Sequence, residues 1–223
     1  MLAMVIVWLK AYLGGFAWNG GLQEFNVHPL CMILGMIFLY AEATLVYRVL
    51  RNCEKLKVKL IHAGLLCFAL IAMIVGLVAV FTFHNDSHIS NLYSLHSWCG
   101  IATISMFCAQ FVLGFLIFLF PEANSDIKST YLSLHQFFGG AILVLAAIST
   151  ISGINEKLFF VYAKKPKSYS QLPGGAVFGN VLGIVVVIFV CFILFILQKT
   201  EWKRPKEEDL FFEPILSEGS DNE

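Results

Sequence analysis

The chain has 223 residues, 58% of them hydrophobic and 13% charged, and its formal net charge is zero. A soluble domain carries about 25% charged residues. This composition, with a mean hydropathy of +0.78, excludes an ordinary water-soluble globule. Zero net charge gives no ground for nucleic-acid binding. Six cysteines without a CxxC pair form neither a disulfide framework nor a zinc site.

Met1 to Leu9 are apolar, but Lys10 interrupts the run. Nine residues of helix cover only about 14 Å, roughly half of a hydrocarbon core about 30 Å thick. No basic stretch precedes this run, so it reads as a shortened first helix rather than a cleaved leader. Five further segments, at 29–47, 60–83, 97–120, 134–154 and 176–197, are apolar and close to charge-free, and each is long enough to span. Their connections are polar and hold punctuators such as Pro121, Asn124, Pro166, Pro173, Gly174 and Gly175. The expected fold is an all-α integral membrane protein, a six-helix transmembrane bundle with a truncated first helix, over residues 1–206. Residues 207–223 read as a disordered acidic cytosolic tail.

Basic residues orient the bundle. The connection at 48–59 carries Arg48, Arg51, Lys55, Lys57 and Lys59, and the C-terminal tail adds Lys199, Lys203, Arg204 and Lys206. These ends are expected in the cytosol, whereas the connections at 14–27 and 84–95 carry no Lys or Arg and face the other side. The connection at 155–175, with Lys157, Lys164, Lys165 and Lys167, runs against the rule.

His28, His62, His96 and His135 stand near the starts of four consecutive spans, 34, 34 and 39 residues apart. Ionisable residues inside a span are costly and mark function. Successive helices run in opposite directions, so His28 and His96 fall near the outer face and His62 and His135 near the cytosolic face. Two imidazoles facing each other across a bundle suit both axial positions of a haem iron. With both positions filled no site is left for oxygen or substrate, and the chemistry is electron transfer. A metal carrier using the same histidines would gather them at mid-membrane; these divide between the faces.

The stretches FNVHP at 25–29, IHAGL at 61–65, NLYSLHSW at 91–98, LHQFFGG at 134–140 and SGINEKLFF at 152–160 resemble those of the cytochrome b561 family, the ascorbate-dependent transmembrane reductases. The resemblance runs from Gly14 to Lys206, and FAWNG at 16–20 and GLVAVFTFHN at 76–85 favour its lysosomal ferric-reductase branch. It implies a central four-helix core with two haem b groups, a homodimer, cytosolic ascorbate as donor and an acceptor reduced on the other side. The sequence departs from the family at Val27, where many relatives carry tryptophan before the histidine. Lys128 stands where relatives often have arginine.

On this resemblance Arg48, Lys55, Lys59 and Lys128 are expected to bind ascorbate. Lys55, Lys59 and His62 also lie on one helical stripe, and Lys128 is seven residues before His135. The positive-inside rule alone would place such residues here too. His84, Asn91 and Tyr93, just before His96, are candidates for holding a ferric chelate or another metal ion on the outer side. Glu213-Pro214-Ile215-Leu216 loosely resembles an acidic dileucine sorting signal, which with the resemblance suggests a late endosomal or lysosomal membrane. The expected function is electron transfer from ascorbate to ferric iron. Two alternatives are reduction of monodehydroascorbate inside a vesicle and, in another class, a haem-free metal carrier.

Overall fold

The computed structural model describes residues 1–120, 123–163 and 165–205. The expected tail at 207–223, the dileucine-like segment, Lys164 and Lys206 lie outside the described residues. Among the described residues six helices carry the fold: α1 (Leu2–Tyr12), α2 (Leu22–Val49), α3 (Lys55–Asp86), α4 (Leu95–Phe118), α5 (Ser125–Tyr162) and α6 (Gly174–Gln198). No strand occurs among the described residues. The last five helices are long and apolar enough to cross a membrane. The 11-residue α1 spans about 16 Å and packs Val5, Trp8 and Leu9 against α6 and the end of α5. Trp8 Nε1 donates to the Gly175 carbonyl at 2.9 Å, so α1 covers only the outer half of the bundle.

Helix ends fall where side chains satisfy free backbone N–H groups. Ser94 accepts from Ser97 N at 3.3 Å and opens α4; Asn124 accepts from Ile127 N at 3.0 Å and opens α5. Consequently α5 is far longer than the 134–154 expected from apolarity, and Lys157, read above as a loop residue, belongs to the helix. Hydropathy marks only the stretch immersed in hydrocarbon, whereas the helix runs on through the polar interface at both ends. A second difference lies in α2, which is π-helical over Ile33–Leu39. The connection before α2 is fastened by Asn26, whose Nδ2 donates to the carbonyls of Leu13 (2.9 Å) and Gly15 (2.8 Å).

Helices α2 to α5 enclose the central core. Met36, Ile37 and Tyr40 of α2 meet Leu66, Ala69 and Met73 of α3, Phe107 of α4, and Ile142, Leu143 and Ala146 of α5. Along every one of these helices the core residues fall between the two histidine levels. Tyr40 ties α2 to α5 through a 2.9 Å bond from its hydroxyl to the Gly139 carbonyl, and its ring lies 5.9 Å from Phe107. An aromatic layer therefore separates the two levels.

Candidate functional site

The structure brings the four span histidines together as two pairs. The rings of His28 and His96 have centres 6.1 Å apart, and those of His62 and His135 6.3 Å apart. This is the pairing expected from topology. In all four residues Nδ1 is committed. His28 Nδ1 donates to the Gly76 carbonyl (3.0 Å), His62 Nδ1 to Ala43 (2.7 Å) and His96 Nδ1 to Ser149 (2.7 Å). A carbonyl can only accept, so these three rings carry their proton on Nδ1. His135 Nδ1 meets Gln110 Oε1 at 2.9 Å. The same oxygen accepts from the Tyr131 hydroxyl at 2.7 Å, and Gln110 Nε2 donates to the His135 carbonyl at 3.3 Å. That arrangement makes Oε1 an acceptor and fixes the same tautomer. Nε2 is left with its lone pair for a metal.

Each histidine is held by the helix hairpin it belongs to. His28 of α2 bonds α3 and His62 of α3 bonds α2; His96 of α4 bonds α5 and His135 of α5 bonds α4. Two glycines make room in the second hairpin. A Cβ on Gly153 would lie 2.6 Å from His96 Cε1, and one on Gly114 would lie 3.0 Å from His135 Cε1. The imidazoles rest where any other residue would place a side chain.

Around the outer pair lies an apolar cavity lined by His28, His96, His84, Asn91, Tyr93 and Lys157 among others. All three outer candidates from the sequence thus reach it. His84 stacks on Phe25 (6.5 Å, 15° between planes), and Phe25 lies 6.1 Å from His28. One phenyl ring therefore joins the outer histidine to a paired one. Asn91 Nδ2 bonds Asn85 Oδ1 at 2.9 Å. Tyr93 stands exposed at the mouth; partial burial and the Glu156 carboxylate push its phenol up from the usual value, so it remains a hydrogen-bond donor at neutral pH.

At the basic end, Lys59 Nζ donates to the Phe118 carbonyl at 2.7 Å, closing the C-terminus of α4, where cations are favoured. The Phe118 ring packs on His135 (5.3 Å) and Tyr131 (5.7 Å), so Lys59 joins the surroundings of the inner pair. Lys55 and Lys128 lie in the first turns of α3 and α5. Arg48 is drawn elsewhere: its guanidinium donates to the carbonyls of Leu197 and Lys199 (2.6 Å for the latter) and caps α6. Among the described residues, no three His, Cys, Asp or Glu side chains converge on one point. Sequence reasoning missed Phe25, Gln110 and the placement of Lys157. The last was within reach: Ser149, Gly153 and Lys157 recur every four residues on the face that carries the acceptor of His96.

A sequence model of eukaryotic cytochrome b561 matches residues 27–161, a stretch that contains all four paired histidines. The chain belongs to the cytochrome b561 family. It is 48% identical over 217 residues to the lysosomal membrane ascorbate-dependent ferrireductase of Homo sapiens, covering 96% of this chain and 90% of that protein. Against the ferrireductase of the same name from Danio rerio it is 44% identical, covering 97% and 91%. It is also 46% identical to the transmembrane ascorbate-dependent reductase of Bos taurus, covering 94% and 81%.

Membership in this family implies b-type haem, and the histidine pairs fit it. A metal–imidazole bond is about 2 Å, and about 1 Å more separates Nε2 from its ring centre. Two axial imidazoles on one iron therefore have centres about 6 Å apart, close to both observed spacings. The acceptors on Nδ1 orient the rings and would raise their basicity toward a bound iron.

Proposed function

We propose that this protein is a transmembrane oxidoreductase that carries single electrons from ascorbate to ferric iron on the opposite side of the membrane. The observation that carries the reading is the two imidazole pairs at two depths, each ring with Nδ1 satisfied and Nε2 left for a metal. His62 and His135 would hold one haem b at the basic end, and His28 and His96 a second at the outer end. When bound, haem supplies a one-electron couple at each level. The chain's own residues fix the ligand tautomers, exclude water with Phe and Leu side chains, and set an aromatic layer, Tyr40 and Phe107, between the levels.

At the basic end, assigned to the cytosol by the positive-inside rule, Lys55, Lys59 and Lys128 would attract the ascorbate monoanion through charge-assisted hydrogen bonds. Arg48 would contribute through the donors not used on α6. Ascorbate loses one electron and one proton and leaves as monodehydroascorbate. At the outer end His84, Asn91 and Tyr93 would hold a ferric ion or its chelate while Fe3+ takes up the electron as Fe2+. A homodimer in a late endosomal or lysosomal membrane completes the proposal; two relatives are lysosomal membrane ferrireductases by name. The bovine relative, at 46% identity, is named an ascorbate-dependent reductase, and a second reading of this chain takes monodehydroascorbate as the outer acceptor.

The test is spectroscopic. The detergent-purified chain should carry two low-spin b haems, reduced by ascorbate and reoxidised by ferric chelate. Absence of haem would overturn the proposal and leave a metal carrier. Faster reoxidation by monodehydroascorbate than by ferric chelate would select the second reading.

A further inference from the structure

Lys157 is a charged residue for which the electron path described so far has no use. It lies in the last turns of α5 and is only 8% exposed. Its Nζ stands 3.8 Å from the centre of the Phe25 ring, and it lines the same cavity as His28 and His96. Among the described residues its ammonium meets no carboxylate and no hydrogen-bond acceptor. The neighbouring Glu156 accepts from Ser94 Oγ instead, at 3.3 Å. Serine and tyrosine hydroxyls line the cavity, but none is bonded to it.

A buried ammonium is normally paired. A ring face attracts it more weakly than an anion does, and a ring offers its N–H groups no lone pair. Lysine brings a compact charge on a flexible stem with three donors, well suited to an oxygen anion that arrives with a ligand. The position agrees: Lys157 is one turn beyond Gly153, the residue on which His96 rests, so its Cα lies about 6 Å further toward the outer surface while its ammonium stands over Phe25. It faces the outward rim of whatever lies between His28 and His96.

We propose that Lys157 binds a carboxylate in the outer cavity. The assignment rests on the haem reading above, and two sources share its chemistry: a propionate of the outer haem, or a carboxylate of an anionic ferric chelate seated on Phe25 and His84. Either way Lys157 is a positioning residue, and Phe25 organises both it and His84.

The test compares the purified full chain with Lys157→Met, which keeps the stem and removes the charge, Lys157→Gln, which keeps a neutral donor, and Lys157→Arg, which keeps the charge. Haem transfer to apomyoglobin is timed, and KM and kcat are measured with ascorbate as donor against anionic ferric citrate and cationic hexaammineruthenium(III). A propionate partner predicts that the outer haem leaves several-fold faster in the Met and Gln variants, and that Arg restores its retention. A chelate partner predicts unchanged retention, a KM for ferric citrate raised about tenfold with kcat preserved, an unchanged or improved KM for the cationic acceptor, and again rescue by Arg. Wild-type haem retention together with an unaltered ratio of the two KM values in both neutral variants would overturn the assignment. A wild-type chain without haem would instead overturn the functional reading beneath it.

Discussion

Three of the four paired histidines lean on a backbone carbonyl, which no substitution of that residue's side chain removes. His135 leans on Gln110, and this makes the inner pair the one whose supporting hydrogen bond can be edited. Removing such an outer partner costs about 10–100-fold in metal affinity. Gln110→Leu should therefore lower haem retention at the inner level by about that factor, leave the outer level intact, and free the Tyr131 hydroxyl. Gln110→Glu should act in the opposite sense on potential. A carboxylate on Nδ1–H makes the imidazole a stronger donor to Fe3+, so the midpoint of the inner haem falls. A redox titration in which Gln110→Glu raised that midpoint would contradict the assigned tautomer. The glycines under the rings give a second, graded case. At Gly153 the added methyl would sit 2.6 Å from an imidazole atom and at Gly114 3.0 Å. Overpacking of this kind costs about 1–3 kcal/mol. Gly153→Ala should weaken the outer haem clearly and Gly114→Ala the inner haem less, as read from haem per chain after gel filtration; the reverse order would refute the geometry.

At the scale of the helix, the paired histidines and their acceptors obey one spacing. From His62 to Gly76 in α3, from His96 to Gln110 in α4, and from His135 to Ser149 in α5 the interval is 14 residues. Fourteen residues are about four turns, so both groups face the same neighbouring helix. In α2 the interval from His28 to Ala43 is 15, and α2 alone carries the π-helical stretch, Ile33–Leu39. Bonds from i to i+5 take up one more residue per turn, which returns Ala43 to the face that His62 needs. Deleting Leu34 should then relax α2 to a plain α-helix and leave haem content near wild type. Deleting Leu70, in the all-α interval of α3, should misplace either His62 or Gly76 and lose a haem. Equal losses in the two variants would count against this account of the π stretch. The histidine periodicity and the five spans were legible in the sequence because a costly residue in hydrocarbon and a 20-residue apolar run are strong signals. The three carbonyl acceptors were not, since a backbone carbonyl has no residue identity to read. The ends of α5 were hidden for a related reason: Asn124 and the turns around Lys157 are polar, and polarity inside a helix end looks like a loop when only hydropathy is followed.

For the whole molecule, the 14-residue interval also sets the depth between the two histidine levels. It corresponds to about 21 Å along a helix, most of the hydrocarbon thickness, so neither level alone connects the two aqueous faces. The basic end gathers Lys59, Phe118, Tyr131 and His135; the outer end gathers His84, Phe25 and His28. If electrons enter at the basic end and leave at the outer end, the four histidines divide into two functional classes. His62→Ala and His135→Ala should remove the same haem, and His28→Ala and His96→Ala the other. In liposomes with ascorbate facing the basic end and ferric chelate facing the outer end, both classes should lose transmembrane iron reduction by at least about tenfold. Their residual spectra should differ. Without the outer pair, the remaining haem is still reduced rapidly by ascorbate and stays reduced when ferric chelate is added. Without the inner pair, the remaining haem is reduced slowly by ascorbate but is still oxidised by chelate at the wild-type rate. The pairing and the direction are thus separable in one set of four variants. Fast reduction by ascorbate in His62→Ala with slow reduction in His96→Ala would mean that electrons enter through the His28–His96 level, the reverse of the proposed order.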